Sequence, residues 1–177
     1  MKIAISGKSG CGNTTVSKKT AAKLGLKFVN YTFRIMAQEK GIAFEELCRL
    51  AESDKSFDIM LDEKQRKLAS EGNCVLGSRL AIWIIDDADL KVFLDAPTGV
   101  RAERIHRREG GSYEEVLKKT IARDKRDSER YKNLYNIDNN DFSFADLVID
   151  TSAFSAEEVA DLIVQKAEQL LDYKVNK

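Results

Sequence analysis

The chain has 177 residues, 43% hydrophobic and 33% charged, and its 29 Lys plus Arg are balanced by 29 Asp plus Glu. That length suits one domain spanning the whole chain, and no apolar run reaches the ~20 residues that cross a bilayer. A formal net charge of zero argues against a uniformly basic nucleic-acid binder. Three scattered cysteines, Cys11, Cys48 and Cys74, argue against a disulfide framework or a structural zinc. With His106 as the one histidine, multi-histidine metal chemistry and a Ser-His-Asp triad are poor fits. The opening MKIAIS is too briefly apolar for a secretory signal, so the expected location is the cytoplasm.

The first expected strand covers residues 2–6. A glycine-rich loop follows directly, Gly7-Lys8-Ser9-Gly10-Cys11-Gly12-Asn13-Thr14, and then a helix. Gly7, Gly12 and Thr14 match the phosphate-loop pattern G-x-x-x-x-G-K-[ST], with Asn13 in place of the lysine. Glycines let several backbone N–H groups converge on phosphate oxygens, and the helix N-terminus adds partial positive charge. Residues 7–15, closing with Thr15, are therefore expected to hold a polyphosphate, with Thr14 offering its hydroxyl to Mg²⁺ directly or through water. Asn13 has amide donors and no charge. Removing one preorganised electrostatic group typically costs ~3–4 kcal/mol of transition-state stabilisation, so another cation is expected to replace it. Lys8 is the nearest candidate, and arginines from a closing segment are the other.

The second expected strand, residues 26–30, is followed by Arg34. The third, 73–77, is followed by Arg79. Two arginines beyond the carboxyl ends of strands suit a second phosphorylated substrate, because guanidinium groups hold phosphates bidentately. The fourth strand is expected over 89–95. Residues 101–132 are dense in cations; Arg123, Asp127 and Arg130 fall on one helix face, and Arg104 with Arg108 form a similar pair. Such a segment reads as a lid that closes over polyphosphate. The fifth strand is expected over 146–150. The last helix places Val159, Leu162, Ile163, Ala167, Leu170 and Leu171 at helical spacing. Ser155 with Glu158 is a capping-box signal for it, and Ser112 with Glu115 repeats that signal earlier. Several strands are apolar at consecutive positions, as in a parallel sheet covered on both faces. Strands alternating with helices make the fold class α/β.

The runs GKSGCGNTTVSKKTAAKLGL, NYTFR, EGNCVLGSRLAIW, ADLKVFLDAPTGVRAERIHRREGG and RDKRDSERY occur in one order and spacing that resembles the cytidylate kinases. The similarity is closest to the archaeal type, within the nucleoside monophosphate kinases of the P-loop kinase class. It implies transfer of the γ-phosphoryl of ATP, with Mg²⁺, to CMP or dCMP in pyrimidine nucleotide metabolism. It also implies a three-layer fold around a five-stranded parallel sheet of order 2-3-1-4-5. A monophosphate-binding region would span about 31–72 and a helical lid about 104–132. By the same resemblance Arg34 and Arg79 hold the acceptor nucleotide, and Arg123, Asp127 and Arg130 form the R-x-x-x-D-x-x-R signature. Arg123 and Arg130, with Lys8, are then the expected catalytic groups, in a monomer that engages neither nucleic acid nor membrane.

The chain departs from the family pattern at Asn13 and at Gly77, where an acidic residue is usual before Gly-Arg. Two further readings follow from those departures and from the acceptor side. One is a catalytically weakened nucleotide-binding regulatory protein of the same fold; the other is a kinase for UMP or AMP.

Overall fold

In the computed structural model, which describes residues 1–175, five strands form one parallel sheet. They are β1 (Lys2–Gly7), β2 (Lys27–Val29), β3 (Cys74–Gly77), β4 (Leu90–Asp95) and β5 (Leu147–Asp150), in the order β2-β3-β1-β4-β5. Both the fold class and the strand order agree with the reading of the sequence. β1 starts at Lys2 as expected, and each of the other four strands starts one residue later than its apolar run suggested. Asn73 takes a positive φ of 43° just before β3. Asp89 and Asp146 stay in the loops, where their carboxylates accept from the N–H groups of Lys2 (2.7 Å) and Lys91 (2.8 Å).

The consecutive apolar residues serve two cores, one on each side of the sheet. On one side Ile3, Ile5, Val92 and Leu94 pack against Val16 and Ala21 of α1 (Asn13–Leu24) and Val159 and Ile163 of α8 (Ala156–Val175). On the other side Ala4, Leu76 and Phe93 meet Tyr131, Ala69 and the short α5 (Ala81–Ile84). Side chains alternate along each strand, so the central strands β1 and β3 are buried almost throughout, one layer on each face, while the edge strand β5 leaves Val148 exposed.

Residues 31–72 carry three helices, α2 (Phe33–Lys40), α3 (Phe44–Ser53) and α4 (Ser56–Ser70). They enclose a small core of their own built on Tyr31, Met36, Ala37 and Leu47. The cation-dense stretch becomes α6 (Thr98–Glu109) and the 23-residue α7 (Tyr113–Tyr135). At α8 the capping box forms in both directions: the Ser155 N–H donates to Glu158 Oε2 at 2.7 Å, and the Glu158 N–H to Ser155 Oγ at 3.3 Å. The box expected at Ser112 does not form. The Ser112 hydroxyl donates to Glu114 Oε2 at 2.8 Å, a charge-assisted bond that orients the side chain toward that carboxylate, and it caps no backbone N–H of α7.

Candidate active site

The glycine-rich loop lies where β1 feeds α1, at the carboxyl end of the central strand. Gly12 caps α1 with φ 97°, and Gly10 has φ 89°. A Cβ on Gly10 would sit 2.8 Å from Arg101 Cβ, so the position admits only glycine on both counts. No side chain caps α1, and its first turn holds no acidic residue. Its leading N–H groups therefore face the cleft as an anion site.

Asn13 explains part of its own presence. Its Nδ2 donates to the Gly7 carbonyl at 2.5 Å, so the side chain crosses the base of the loop and braces it. Lys8 points elsewhere: its ammonium donates to Asn140 Oδ1 at 2.8 Å. Two arginines from outside the loop bond to it. Arg123 Nη1 donates to Ser9 Oγ at 3.1 Å, and Arg104 Nη1 to the Gly10 carbonyl at 3.3 Å. Cys11, buried in the loop, has its thiol pushed up to about 11, chiefly by burial, and is a packing residue with no nucleophilic role.

A cleft of about 1460 Å³ opens beside this loop. It brings together residues 8–15 and all five acceptor-side residues expected from the sequence: Arg34, Arg79, Arg123, Asp127 and Arg130. Gly7 is the last residue of β1, where the loop begins. Asp127 is the anchor of the arginine cluster, accepting from Arg79 Nη1 at 2.8 Å on one oxygen and from Arg130 Nη2 at 3.1 Å on the other. Arg34 lays its guanidinium 4.3 Å over the Phe44 ring, which fixes the plane it presents. Thr14 is exposed in the cleft, with Oγ1 3.4 Å from Asn30 Nδ2.

Gly77 has a steric reason for lacking a carboxylate. A Cβ there would lie 2.7 Å from Ser17 Cβ and closer still to Ser17 Oγ. Helix α1 runs directly over β3 at this point, and no acidic side chain fits between them.

The sequence reading missed three cleft residues, Asp58, Asp62 and Gln65, spaced i, i+4, i+7 along α4 and all buried. Asp58 Oδ1 lies 3.6 Å from Arg130 Nη1; burial raises its carboxyl above the ordinary value, against the pull of Arg130. Asp62 accepts from the Tyr135 hydroxyl at 2.7 Å, and burial pushes its carboxyl up to about 6 although that bond opposes the shift. Gln65 Nε2 donates to the Tyr31 carbonyl at 2.7 Å. Carboxylates on a charged helix ordinarily read as a solvated face; only the spacing of 3.5 residues hinted that these share one side. Trp83 packs edge-on to Phe93 and Phe144, and Tyr135 is engaged with Asp62, which gives both aromatics structural work.

Residues 2–153 match the cytidylate kinase-like family. The chain belongs to that family. This cytidylate kinase-like protein is 50% identical over 167 residues to cytidylate kinase 2 of Borrelia garinii subsp. bavariensis, covering 92% of this chain and 94% of the relative. It is 47% identical over 163 residues to the cytidylate kinase of Pyrococcus horikoshii, covering 91% and 85%. Among solved structures its fold is that of shikimate kinase from Bacteroides thetaiotaomicron (TM-score 0.63, 18% identity, 96% and 97% covered). Deoxyadenosine kinase from M. mycoides also shares it (TM-score 0.58, 19% identity, 96% and 100% covered). At 18% and 19% identity, both likenesses are of fold.

Proposed function

We propose that this family member is an ATP-dependent cytidylate kinase, transferring the γ-phosphoryl of ATP to CMP or dCMP and releasing ADP with CDP or dCDP. The observation that carries the reading is the 50% identity to a cytidylate kinase across 92% of the chain. The geometry suits it: an anion-binding loop and a cluster of arginines share one cleft, as a reaction between two phosphorylated substrates requires.

The chemistry asks little of the side chains beyond placement and charge. An acceptor phosphate oxygen is already anionic and attacks the γ-phosphorus without a base, so catalysis rests on alignment and neutralisation. In this reading residues 7–15 cradle the ATP phosphates. Arg34, Arg79 and Arg130 hold the acceptor phosphate, and Asp127 keeps the last two in position. Arg123, already on Ser9, supplies charge at the loop where the pattern has lysine; Lys8 joins it by exchanging Asn140 for a phosphate oxygen. Mg²⁺ arrives with ATP as part of the substrate, and Thr14 offers it one neutral oxygen. Residues 31–72 act as the monophosphate-binding region and residues 104–132 as the lid, in a monomeric, cytoplasmic protein. No described helix is long and apolar enough to cross a membrane.

The test is CDP formation from CMP, ATP and Mg²⁺, with dCMP, UMP and AMP compared at one concentration. Turnover with CMP and dCMP far above UMP and AMP is the expected result. No CDP above background, with ATP still bound, would replace the enzyme with a nucleotide-binding protein.

A further inference from the structure

Two buried acceptors in the cleft wall have no donor. Gln65 is 2% exposed and Asp58 5%. Gln65 Oε1 and Asp58 Oδ2 are both without a hydrogen-bond partner among the described residues. The orientation of Gln65 is not arbitrary. Its Nε2 donates to the Tyr31 carbonyl, and a flipped amide would set oxygen against oxygen, so Oε1 is held as the free atom. Buried polar groups in native proteins are paired almost without exception, and an unpaired one calls for a partner. Both free atoms on α4 accept and neither donates, so the part of a molecule that meets this helix must bring donors, while Arg130 Nε, unpaired in the same cleft, is left for an acceptor such as a phosphate oxygen.

A cytidine monophosphate has them in two places, the 4-amino group of the base and the ribose hydroxyls. The two acceptors stand seven residues apart on α4, roughly 10 Å along the helix axis. That span is the length of a nucleoside and too long for one amino group to bridge. Asp58 lies beside Arg130, at the phosphate end of the cleft. Taking the ligand in its covalent order, phosphate then ribose then base, leaves Gln65 for the base.

We infer that Gln65 is the specificity-determining residue of the acceptor site, its fixed carbonyl oxygen accepting from the 4-amino group of cytosine, while Asp58 accepts from a ribose hydroxyl. This rests on the cytidylate kinase reading above. Uracil presents a carbonyl oxygen where cytosine presents the amino group. In that complex two acceptors would face each other, and the buried Oε1 would stay unpaired. A site built to bond one polar group rejects the analogue lacking it far more strongly than a greasy pocket rejects a missing methylene.

The experiment measures kcat/KM for CMP, UMP and pyrimidin-2-one ribonucleoside 5′-monophosphate, which lacks the 4-amino group. The wild-type protein is expected to favour CMP over both by ~10-fold or more. Gln65→Met, similar in shape and without the acceptor, is expected to bring the three values within about 2-fold of one another. Asp58→Asn is expected to lower all three together and leave their ratios standing, because the ribose is common to them. A preference for CMP that survives Gln65→Met, or one that disappears in Asp58→Asn instead, overturns the assignment. So does a wild-type protein that forms CDP yet treats the three acceptors alike. Should the wild-type protein form no CDP, the kinase reading itself has failed, and that outcome is distinct from these. The analogue comparison needs no variant, so it decides the base contact even where Gln65→Met unfolds.

Discussion

Arg101 of α6 and Asp124 of α7 form a buried two-point ion pair, Nη2 to Oδ2 at 2.6 Å and Nη1 to Oδ1 at 3.2 Å. The same guanidinium donates to the carbonyls of Ser9 and Ala96, each at 3.1 Å, and to Thr98 Oγ1 at 3.0 Å. One side chain, 2% exposed, thus ties the glycine-rich loop, the end of β4 and the long helix α7 together. The sequence reading placed Arg101 only as the first cation of a rich segment.

Breaking that pair from one side leaves a buried charge without its partner. Asp124→Ala is expected to destabilise the protein by ~3–5 kcal/mol, read as a shift in the urea midpoint. Replacing both partners by apolar residues (Arg101→Met with Asp124→Leu) is expected to cost less than the two single changes summed. Additive losses in that cycle would mean the two groups are not coupled.

Gly77 and Ser17 are coupled by contact. Gly77→Ala is expected to cost ~1–3 kcal/mol by overpacking, since the new Cβ meets Ser17. Adding Ser17→Gly opens that space and should recover part of the loss beyond the single effect of Ser17→Gly. Thermal unfolding of the two singles and the double measures it. If Gly77→Ala alone is neutral, α1 does not press on β3 as described.

Asp62 makes stability depend on pH in an unusual direction. Its carboxyl rises from an ordinary 3.8 to about 6 in the folded state, so between those values the folded protein binds more protons than the unfolded one. Stability therefore falls as pH climbs through that window. The burial penalty is absent below the unfolded value and fully present above about 6. By linkage it amounts to at most ~3 kcal/mol. Asp62→Asn removes the ionisation and should flatten the slope between pH 4 and pH 7, measured by chemical denaturation at fixed ionic strength. A slope unchanged in Asp62→Asn would assign the effect to other carboxyls, Asp58 first among them, since burial raises it in the same direction.

The charge missing at Asn13 gives a ranking. Arg123 already touches the loop at Ser9, whereas Lys8 must leave Asn140. Arg123→Ala is expected to lower kcat by ~100-fold or more, as for loss of one preorganised donor. Lys8→Ala is expected to lower it less. Equal kcat in wild type and Arg123→Ala, with Lys8→Ala inactive, would return the role to the lysine.

Much of this protein was legible along the chain because its signals are local. Consecutive apolar residues such as Val92, Phe93 and Leu94 announce strands covered on both faces. Glycines at positions 10 and 12 mark a left-handed backbone that suits glycine, Gly7 leaves no room for a Cβ beside the Leu94 carbonyl, and Ser155 with Glu158 marks where the last helix starts. Arg34, Arg79, Arg123, Asp127 and Arg130 follow recognisable spacings after strands or on one helix face, and the structure gathers them in one cleft. Each of these features depends on neighbours within a few residues or on the sheet's fixed topology.

What only the tertiary structure decided are the pairings between groups far apart in the chain. Ser112 was read as a cap and bonds Glu114 instead. Asp58, Asp62 and Gln65 look like a solvated helical face until Arg130, Tyr135 and the Tyr31 carbonyl meet them. Arg101 finds Asp124 across a helix hairpin, and Gly77 is glycine because Ser17 crosses it sixty residues earlier in the chain. A charge or an amide carries no mark in one dimension of whether it will meet water or a buried partner, since its energy depends on what surrounds it in three. Strand, turn and loop were therefore written in the sequence, and the electrostatics of the cleft arose only on folding.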